Sequence, residues 1–147
     1  MSITPQYNGA PILRSKHVYY AGTDKILPGY VLCYAHDATV DNADPKLRKG
    51  VQVTKPATAN LMLFAGIANR EVQGPGWLEV TPPAPGEACV ALHKVNATTQ
   101  VTGLAPANGE YGFGAHSDSE LNLPLVGVAL ETSNTSTTAA NKLFLFK

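Results

Sequence analysis

Glycine and proline interrupt this chain of 147 residues so often that long helices are excluded. There are 13 Gly and 11 Pro, and one or the other falls in almost every window of about a dozen residues. No segment places apolar residues at the i, i+3, i+4, i+7 spacing of an amphipathic helix between capping residues. Because proline lacks a backbone donor and glycine destabilises a helix interior, this pattern predicts an all-β protein.

Short apolar and β-branched runs alternate with turn sequences along the whole chain. This spacing is typical of a small single-domain β-barrel or β-sandwich, and the alternation does not distinguish the two. Pro28-Gly29 and Pro85-Gly86 predict type II turns, and Asn108-Gly109 predicts a hairpin loop. The predicted strands are Val18–Ala21, Gly29–Ala35, Val51–Thr54, Leu61–Asn69, Gly76–Val80, Glu87–Val95, Gln100–Leu104, Tyr111–Ala115, Pro124–Thr132 and Lys142–Phe146.

Two of these strands, 87–95 and 124–132, are apolar on both faces. Side chains alternate between the faces of a strand, and a small barrel buries its inner face. The second apolar face therefore predicts either packing against another layer of the same domain or a subunit interface.

The ends of the chain differ from its middle. Residues 1–16 contain Pro5, Gly9 and Pro11 with little periodicity, which predicts an extended N-terminal arm that either frays or docks on a neighbouring surface. Residues 17–147 are then the β domain, whose last strand pairs in its own sheet or in a neighbour's sheet. Residues predicted to form capsid or subunit interfaces are Ile3, Pro5, Tyr7, Pro11, Ile12, Leu13, Leu125, Leu143 and Phe144.

Charge and hydropathy argue against two classes of partner. The chain has 11 Lys+Arg and 11 Asp+Glu, so it lacks the positive field that nucleic-acid and anionic-membrane binders use. Its longest apolar run, residues 61–68, is far shorter than the roughly 20 residues of a transmembrane helix. The first residues do not have the pattern of a secretory signal. We therefore expect a soluble, non-secreted protein that binds neither nucleic acid nor membrane.

Catalytic and metal-binding motifs are missing from the sequence. There is no G-x-S-x-G motif, and the four histidines lack metal-ligand spacing. We expect no enzyme activity, no cofactor and no metal. The acidic segment 36–44 is interpreted as a solvated loop with Asx turns, with a weak cation site as the alternative. Cys33 and Cys89 are interpreted as inert core thiols, with a disulfide as the alternative.

A convergent catalytic site is a further alternative, which would require distant residues to meet in space. The residues in question are His36, Asp37, Asp41 and Asp44, together with His93 or His116.

The order of strand and turn motifs between about residues 25 and 130 resembles that of a phage protein family. The motifs are Pro28-Gly29-Tyr30-Val31-Leu32, then 49–56 (KGVQVTKP), then Phe64-Ala65-Gly66-Ile67-Ala68, then a Gly-rich turn and Gly76-Trp77-Leu78-Glu79-Val80. This order resembles the capsid decoration proteins of tailed bacteriophages, also called cement or head-stabilisation proteins.

The resemblance implies a structural virion protein, commonly a homotrimer, that binds the outside of the capsid and bridges major capsid protein subunits. It would be made in the host cytoplasm and located on the capsid exterior. The alternative is a carbohydrate- or receptor-binding β module of a virion, such as a tail or head fibre component. An exposed row of aromatic residues, for example Tyr19, Tyr20, Tyr30 and Tyr34, would indicate that alternative. A cellular β-domain of another role is the remaining interpretation.

Overall fold

The computed structural model describes residues 14–93, 102–116, 125–131 and 139–147. The prediction of an all-β protein is confirmed, since these residues form twelve strands, one short 3-10 helix at Pro45–Leu47 and no α-helix. None of them belongs to a helix that could cross a membrane. The strands are β1 (Lys16–Tyr20), β2 (Lys25–Ile26), β3 (Val31–Tyr34), β4 (Gln52–Thr54), β5 (Phe64–Ala68), β6 (Val72–Gln73), β7 (Gly76–Thr81), β8 (Ala88–His93), β9 (Gly103–Pro106), β10 (Phe113–Ala115), β11 (Gly127–Ala129) and β12 (Ala140–Phe146).

Ten of these strands form two closed barrels of five strands each. The first barrel has the order β1-β4-β3-β5-β7, and the second has the order β10-β8-β12-β11-β9. Strands β2 and β6 make a separate two-stranded sheet. Closure of a sheet removes the open edges that a flat sheet would present. The sequence left a β-barrel and a β-sandwich open, and the described residues form two β-barrels.

The two barrels pack on each other through β3 and β5. Leu32 and Ala65 belong to the core of the first barrel, with Val18, Leu78 and Val80. Val31 and Ile67 are paired across the two strands and belong to the core of the second barrel, with Leu104, Phe113 and Phe144. Both faces of β3 are thus buried, and the two barrels form one folded unit.

Both predicted type II turns are present. Gly29 has a φ of 94° and Gly86 has a φ of 85°, values that a residue with a Cβ rarely adopts. Each turn is closed by a backbone hydrogen bond of 3.1 Å, from Tyr30 N to Leu27 O and from Glu87 N to Ala84 O. The first turn leads into β3 and the second leads into β8.

The structure corrects several strand boundaries. Strand β5 begins at Phe64 rather than Leu61, because the buried Asn60 holds the preceding turn: its Oδ1 accepts from Ala57 N at 2.7 Å, and its carbonyl accepts from Leu63 N at 2.8 Å. Strand β9 begins at Gly103, and its predicted antiparallel pairing with β10 is confirmed. The sequence did not predict β2 and β6, which have two residues each and no apolar alternation.

Candidate interaction surfaces

The outward side of β8 and β12 carries large apolar side chains. Val90 pairs with Leu143, and Ala88 pairs with Leu145. Val90 is 47% exposed and Leu143 is 37% exposed. Because neighbours along a strand point to opposite faces, Phe144 lies on the inward side. It has no exposed surface and contacts Phe113 and Phe146 at ring-centroid distances of 5.0 and 4.7 Å.

The same surface continues onto β11. Val128 pairs with Leu145, and Leu130 follows the strand with its N–H donating to Leu143 O at 3.0 Å. Leu125 is 47% exposed, and its side chain lies where a Cβ on Gly103 would project. We call this surface the outer apolar face, and its members are Ala88, Val90, Leu125, Val128, Leu130, Leu143 and Leu145.

Three of the residues predicted for interfaces can therefore be located. Leu125 and Leu143 lie on the outer apolar face. The prediction for Phe144 is wrong, because the alternation of β12 turns its ring into the core of the second barrel. The other six, Ile3, Pro5, Tyr7, Pro11, Ile12 and Leu13, lie outside the described residues.

A second group of exposed apolar side chains lies at one end of the first barrel. Strands β4 and β5 both run antiparallel to β3, so the loop that follows β3 and the turn before β5 meet at the same end. Val40 is 77% exposed and Met62 is 62% exposed, and Leu47 and Leu63 are also exposed. We call these four residues the apolar loop end. Their identification required the strand directions, because Val40 and Leu47 are single apolar residues in a polar loop and Met62 and Leu63 belong to a run that the sequence assigns to a strand.

Arg14 lies where the chain enters the first barrel, next to the start of β8. Its guanidinium forms an ion pair with Glu87 at 3.1 Å and contacts Pro82 O at 3.5 Å. Both side chains are about half exposed, so we expect this pair to add little stability. The pair places Arg14, the first described residue, beside β8 of the outer apolar face.

The acidic segment 36–44 forms a solvated loop with the predicted Asx turns. Asn42 Oδ1 accepts from Asp44 N at 2.9 Å, and Asp44 Oδ1 accepts from Lys46 N at 3.1 Å. The second bond caps the 3-10 helix. The Asn42 amide and the Asp44 carboxylate thus accept hydrogen bonds from backbone N–H groups of their own loop.

The residues of the alternative catalytic site do not converge. His36 and Asp37 border a cleft in the first barrel, whereas His93 is buried in the second barrel between Phe113 and Phe144. Across the described ranges, no group of three or more His, Cys, Asp or Glu residues is arranged to hold a metal ion.

His93 is a buried polar residue on the inward face of β8. Its Nδ1 lies 3.0 Å from Ala91 O, and since a carbonyl can only accept, Nδ1 carries the proton. Nε2 has no hydrogen-bond partner among the described residues. Burial lowers the pKa of His93, while the Ala91 bond and Glu131 oppose the shift and Lys142 adds to it.

The tyrosines predicted for a sugar-binding row are distributed over separate sites. Tyr19 packs edge-on against the half-exposed Trp77 at 5.4 Å. Tyr34 accepts a hydrogen bond from Lys16. Tyr20 is buried, and Tyr30 stacks on Tyr111 at 4.9 Å. The exposed aromatic row that would indicate a carbohydrate-binding module is therefore not formed by these residues.

Tyr111 joins the two barrels at a polar cleft. It precedes β10 of the second barrel, yet its hydroxyl donates to Asp24 Oδ2 at 2.6 Å and lies 2.5 Å from the hydroxyl of Tyr20 in the first barrel. The cleft has a volume of about 450 Å³. Burial and these hydrogen bonds raise the pKa of Tyr111. The sequence predicted only that Tyr111 lies in a strand. It could not predict the hydrogen bond to Asp24, because the two residues are 87 positions apart and no local pattern indicates such a contact.

Both cysteines are free thiols. Cys33 is fully buried in β3, and burial raises its pKa to about 12. Cys89 is partly buried in β8, and burial also raises its pKa. The interpretation as unpaired thiols is confirmed, and the disulfide alternative is wrong.

Comparison with known proteins yields a fold relationship. No protein-family profile matches the chain, and no curated protein matches it in sequence. Among solved structures, the chain is similar to the N base of the head fiber protein gp8.5 of bacteriophage phi29. The two share 11% sequence identity with a TM-score of 0.56, over 91% of this chain and 93% of that chain. The likeness spans both barrels, so the two-barrel arrangement is shared as a whole.

Proposed function

We propose that this protein is a structural component of a bacteriophage virion that binds the exterior of the capsid and links major capsid protein subunits. The shared fold with the base of a phage head fiber supports this proposal. The observation that carries it is the presence of two exposed apolar surfaces, the outer apolar face and the apolar loop end, because exposed apolar surface on a small protein marks an interaction site. The protein acts by adhesion and has no catalytic role.

The two apolar surfaces have separate roles in this proposal. The outer apolar face joins copies of the chain into a homotrimer, since it is uncharged and spans three adjacent strands. The apolar loop end and residues 1–13 contact the capsid. We take each contact to bury a standard patch of about 800 Å² per partner. Three linked copies then bind the shell more tightly than one copy does, so each single contact can be weak.

The arm is tested by deleting residues 2–13, which keeps Arg14 and all of β1. The purified variant and the full chain are mixed with expanded empty phage heads and sedimented. We expect saturable co-sedimentation of the full chain and loss of binding by the deletion variant, with unchanged circular dichroism. Equal binding by both proteins would remove the arm from the capsid contact, and absence of binding by the full chain would overturn the proposed function.

The division between the two surfaces is tested by a reciprocal pair of variants. Leu143→Lys lies on the outer apolar face, and Met62→Lys lies at the apolar loop end; both positions are exposed, so both variants fold. Light scattering should give a monomer for Leu143→Lys and a trimer for Met62→Lys. Co-sedimentation of the trimeric Met62→Lys variant should be weakened. A wild-type monomer, or a Leu143→Lys trimer, would contradict the assignment of the outer apolar face.

A further inference from the structure

We propose that the cleft beside Tyr111 is a binding site for a neutral saccharide. The cleft lies in the first barrel, and Tyr111 from the second barrel forms one side of it. Its volume of about 450 Å³ falls within the range of roughly 300–1,000 Å³ found for such sites. The cleft shares the loop after β3 and the turn before β5 with the apolar loop end, but none of the four residues of that surface lines it. The inference does not depend on capsid binding.

The walls of the cleft are fixed by hydrogen bonds before any ligand arrives. On one side, the Tyr20, Tyr111 and Asp24 side chains form a continuous chain of bonds. On the other side, Asn60 is 3% exposed and donates to Thr54 Oγ1 at 2.8 Å and to Lys55 O at 3.5 Å. A prearranged cleft of this kind binds a small ligand without a large ordering cost.

The rim offers hydrogen-bonding groups that the protein does not use. Among the described residues, no side chain or backbone group bonds to the Asp37 carboxylate, the His36 ring or the Thr23 hydroxyl, and all three line the cleft. Lys55 also lines it, and its ammonium makes no ion pair within the described part of the chain. The rim therefore presents acceptors from carboxylates and donors from an ammonium and a hydroxyl.

The charges on the cleft select against other ligand classes. Two carboxylates, Asp24 and Asp37, disfavour phosphate and other anions. An organic cation would need an open aromatic face, but the Tyr111 ring is stacked on Tyr30 at 4.9 Å and has the Lys55 ammonium 4.8 Å from its centre. A polyhydroxylated neutral molecule satisfies both the acceptors and the donors of the rim, because each hydroxyl can donate and accept.

The test is a titration of the isotope-labelled full chain, followed by NMR, with glucose, galactose, mannose, N-acetylglucosamine and N-acetylgalactosamine at millimolar concentrations. We expect at least one sugar to shift the backbone amide signals of Thr23, Asp37 and Lys55. Inorganic phosphate in a parallel titration should shift none of them. A response to phosphate alone, or no response to any sugar, would overturn the proposal.

Matched variants separate binding in the cleft from binding elsewhere. Asp37→Asn should weaken sugar binding about tenfold, since a hydrogen bond to a charged group is lost, and Asp41→Asn in the same exposed loop should not. Ala59→Trp should fill the cleft and abolish binding, whereas Ala43→Trp, also exposed but outside the cleft, should leave it unchanged. Equal affinities for all four variants would contradict the site. Asp37→Asn keeps the size of the side chain and changes none of the apolar loop end residues, so it should not alter sedimentation with phage heads, and failure here is distinguishable from failure of capsid binding.

Discussion

Val31 and Leu32 are neighbours in one strand, and their side chains belong to the hydrophobic cores of different barrels. Val31 packs with Phe113 and Phe144 of the second barrel, and Leu32 packs with Val18 and Leu78 of the first. The second barrel therefore depends on the first for part of its core.

This dependence predicts that the two barrels unfold together. Trp77, the one tryptophan of the chain, lies in the first barrel and reports on it by fluorescence. Phe144→Ala in the second barrel should lower the free energy of unfolding by about 3–5 kcal/mol and move the Trp77 transition in urea by the corresponding amount. Leu47→Ala, at an exposed position, is the control and should leave the transition within about 0.5 kcal/mol. An unmoved Trp77 transition in the Phe144→Ala variant would show that the barrels unfold independently.

The Tyr111 hydroxyl is expected to stabilise the contact between the barrels. Tyr111→Phe removes the donor to Asp24 and the partner of Tyr20, so we expect a loss of about 1–3 kcal/mol. Tyr34→Phe removes a hydroxyl that accepts from the exposed Lys16 and should cost less than about 0.5 kcal/mol. Urea denaturation of the two variants measures the difference. Equal stabilities would show that the interbarrel hydrogen bonds contribute nothing measurable.

Burial of His93 predicts that acid weakens the fold. The folded protein holds His93 neutral because burial lowers its pKa below the ordinary value of 6.5. As the pH falls below about 6.5, the unfolded chain binds a proton at this position that the folded chain does not, so the free energy of unfolding decreases. Above that pH both states are neutral, and the contribution disappears.

The measurement for His93 is urea denaturation between about pH 7 and pH 5. His93→Leu should flatten the dependence on pH, because it removes the group whose pKa differs between the folded and unfolded states. The control His36→Gln alters an exposed histidine and should leave the slope unchanged. A slope that persists in His93→Leu would assign the acid sensitivity to other groups.

The two thiols are expected to differ in reactivity. The thiolate is the nucleophile that attacks a thiol reagent, and burial raises the pKa of Cys33 to about 12. In the folded protein Cys89 should react slowly and Cys33 should not react, whereas both should react rapidly in denaturant. Cys89→Ser should remove the slow native reaction, and Cys33→Ala should leave it intact. Rapid modification of both thiols in the folded protein would contradict the burial of β3.

The sequence was sufficient for features that depend on local chemistry. The turns at Gly29 and Gly86 followed from Pro-Gly pairs, and the positions of the main strands followed from alternation between turns. The exposure of Val90 and Leu125 is consistent with the two predicted strands, 87–95 and 124–132, that are apolar on both faces.

Features that depend on long-range contacts could not be predicted. Phe144 and Leu143 look equivalent in an apolar run, and only the register of β12 against β8 decides which of them faces inward. In the cleft, Asp24 and Lys55 follow the paired strands β1 and β4 of the first barrel, and the packing of the second barrel on the first brings Tyr111 to Asp24. Alternation within a strand contains no information about that packing.

The two-sided burial of β3 also limits how this protein can evolve. A gene segment that encodes the second barrel alone would lack part of its core, because Val31 and Ile67 complete that core from within the first barrel. Recombination between two relatives at the junction of the barrels would pair the first barrel of one with the second barrel of the other. Strands β3 and β5 would then pack against core residues with which they did not coevolve. We therefore expect the two barrels to be inherited as a pair, with variation concentrated in the loops of residues 36–50 and 57–63 rather than in exchange of halves.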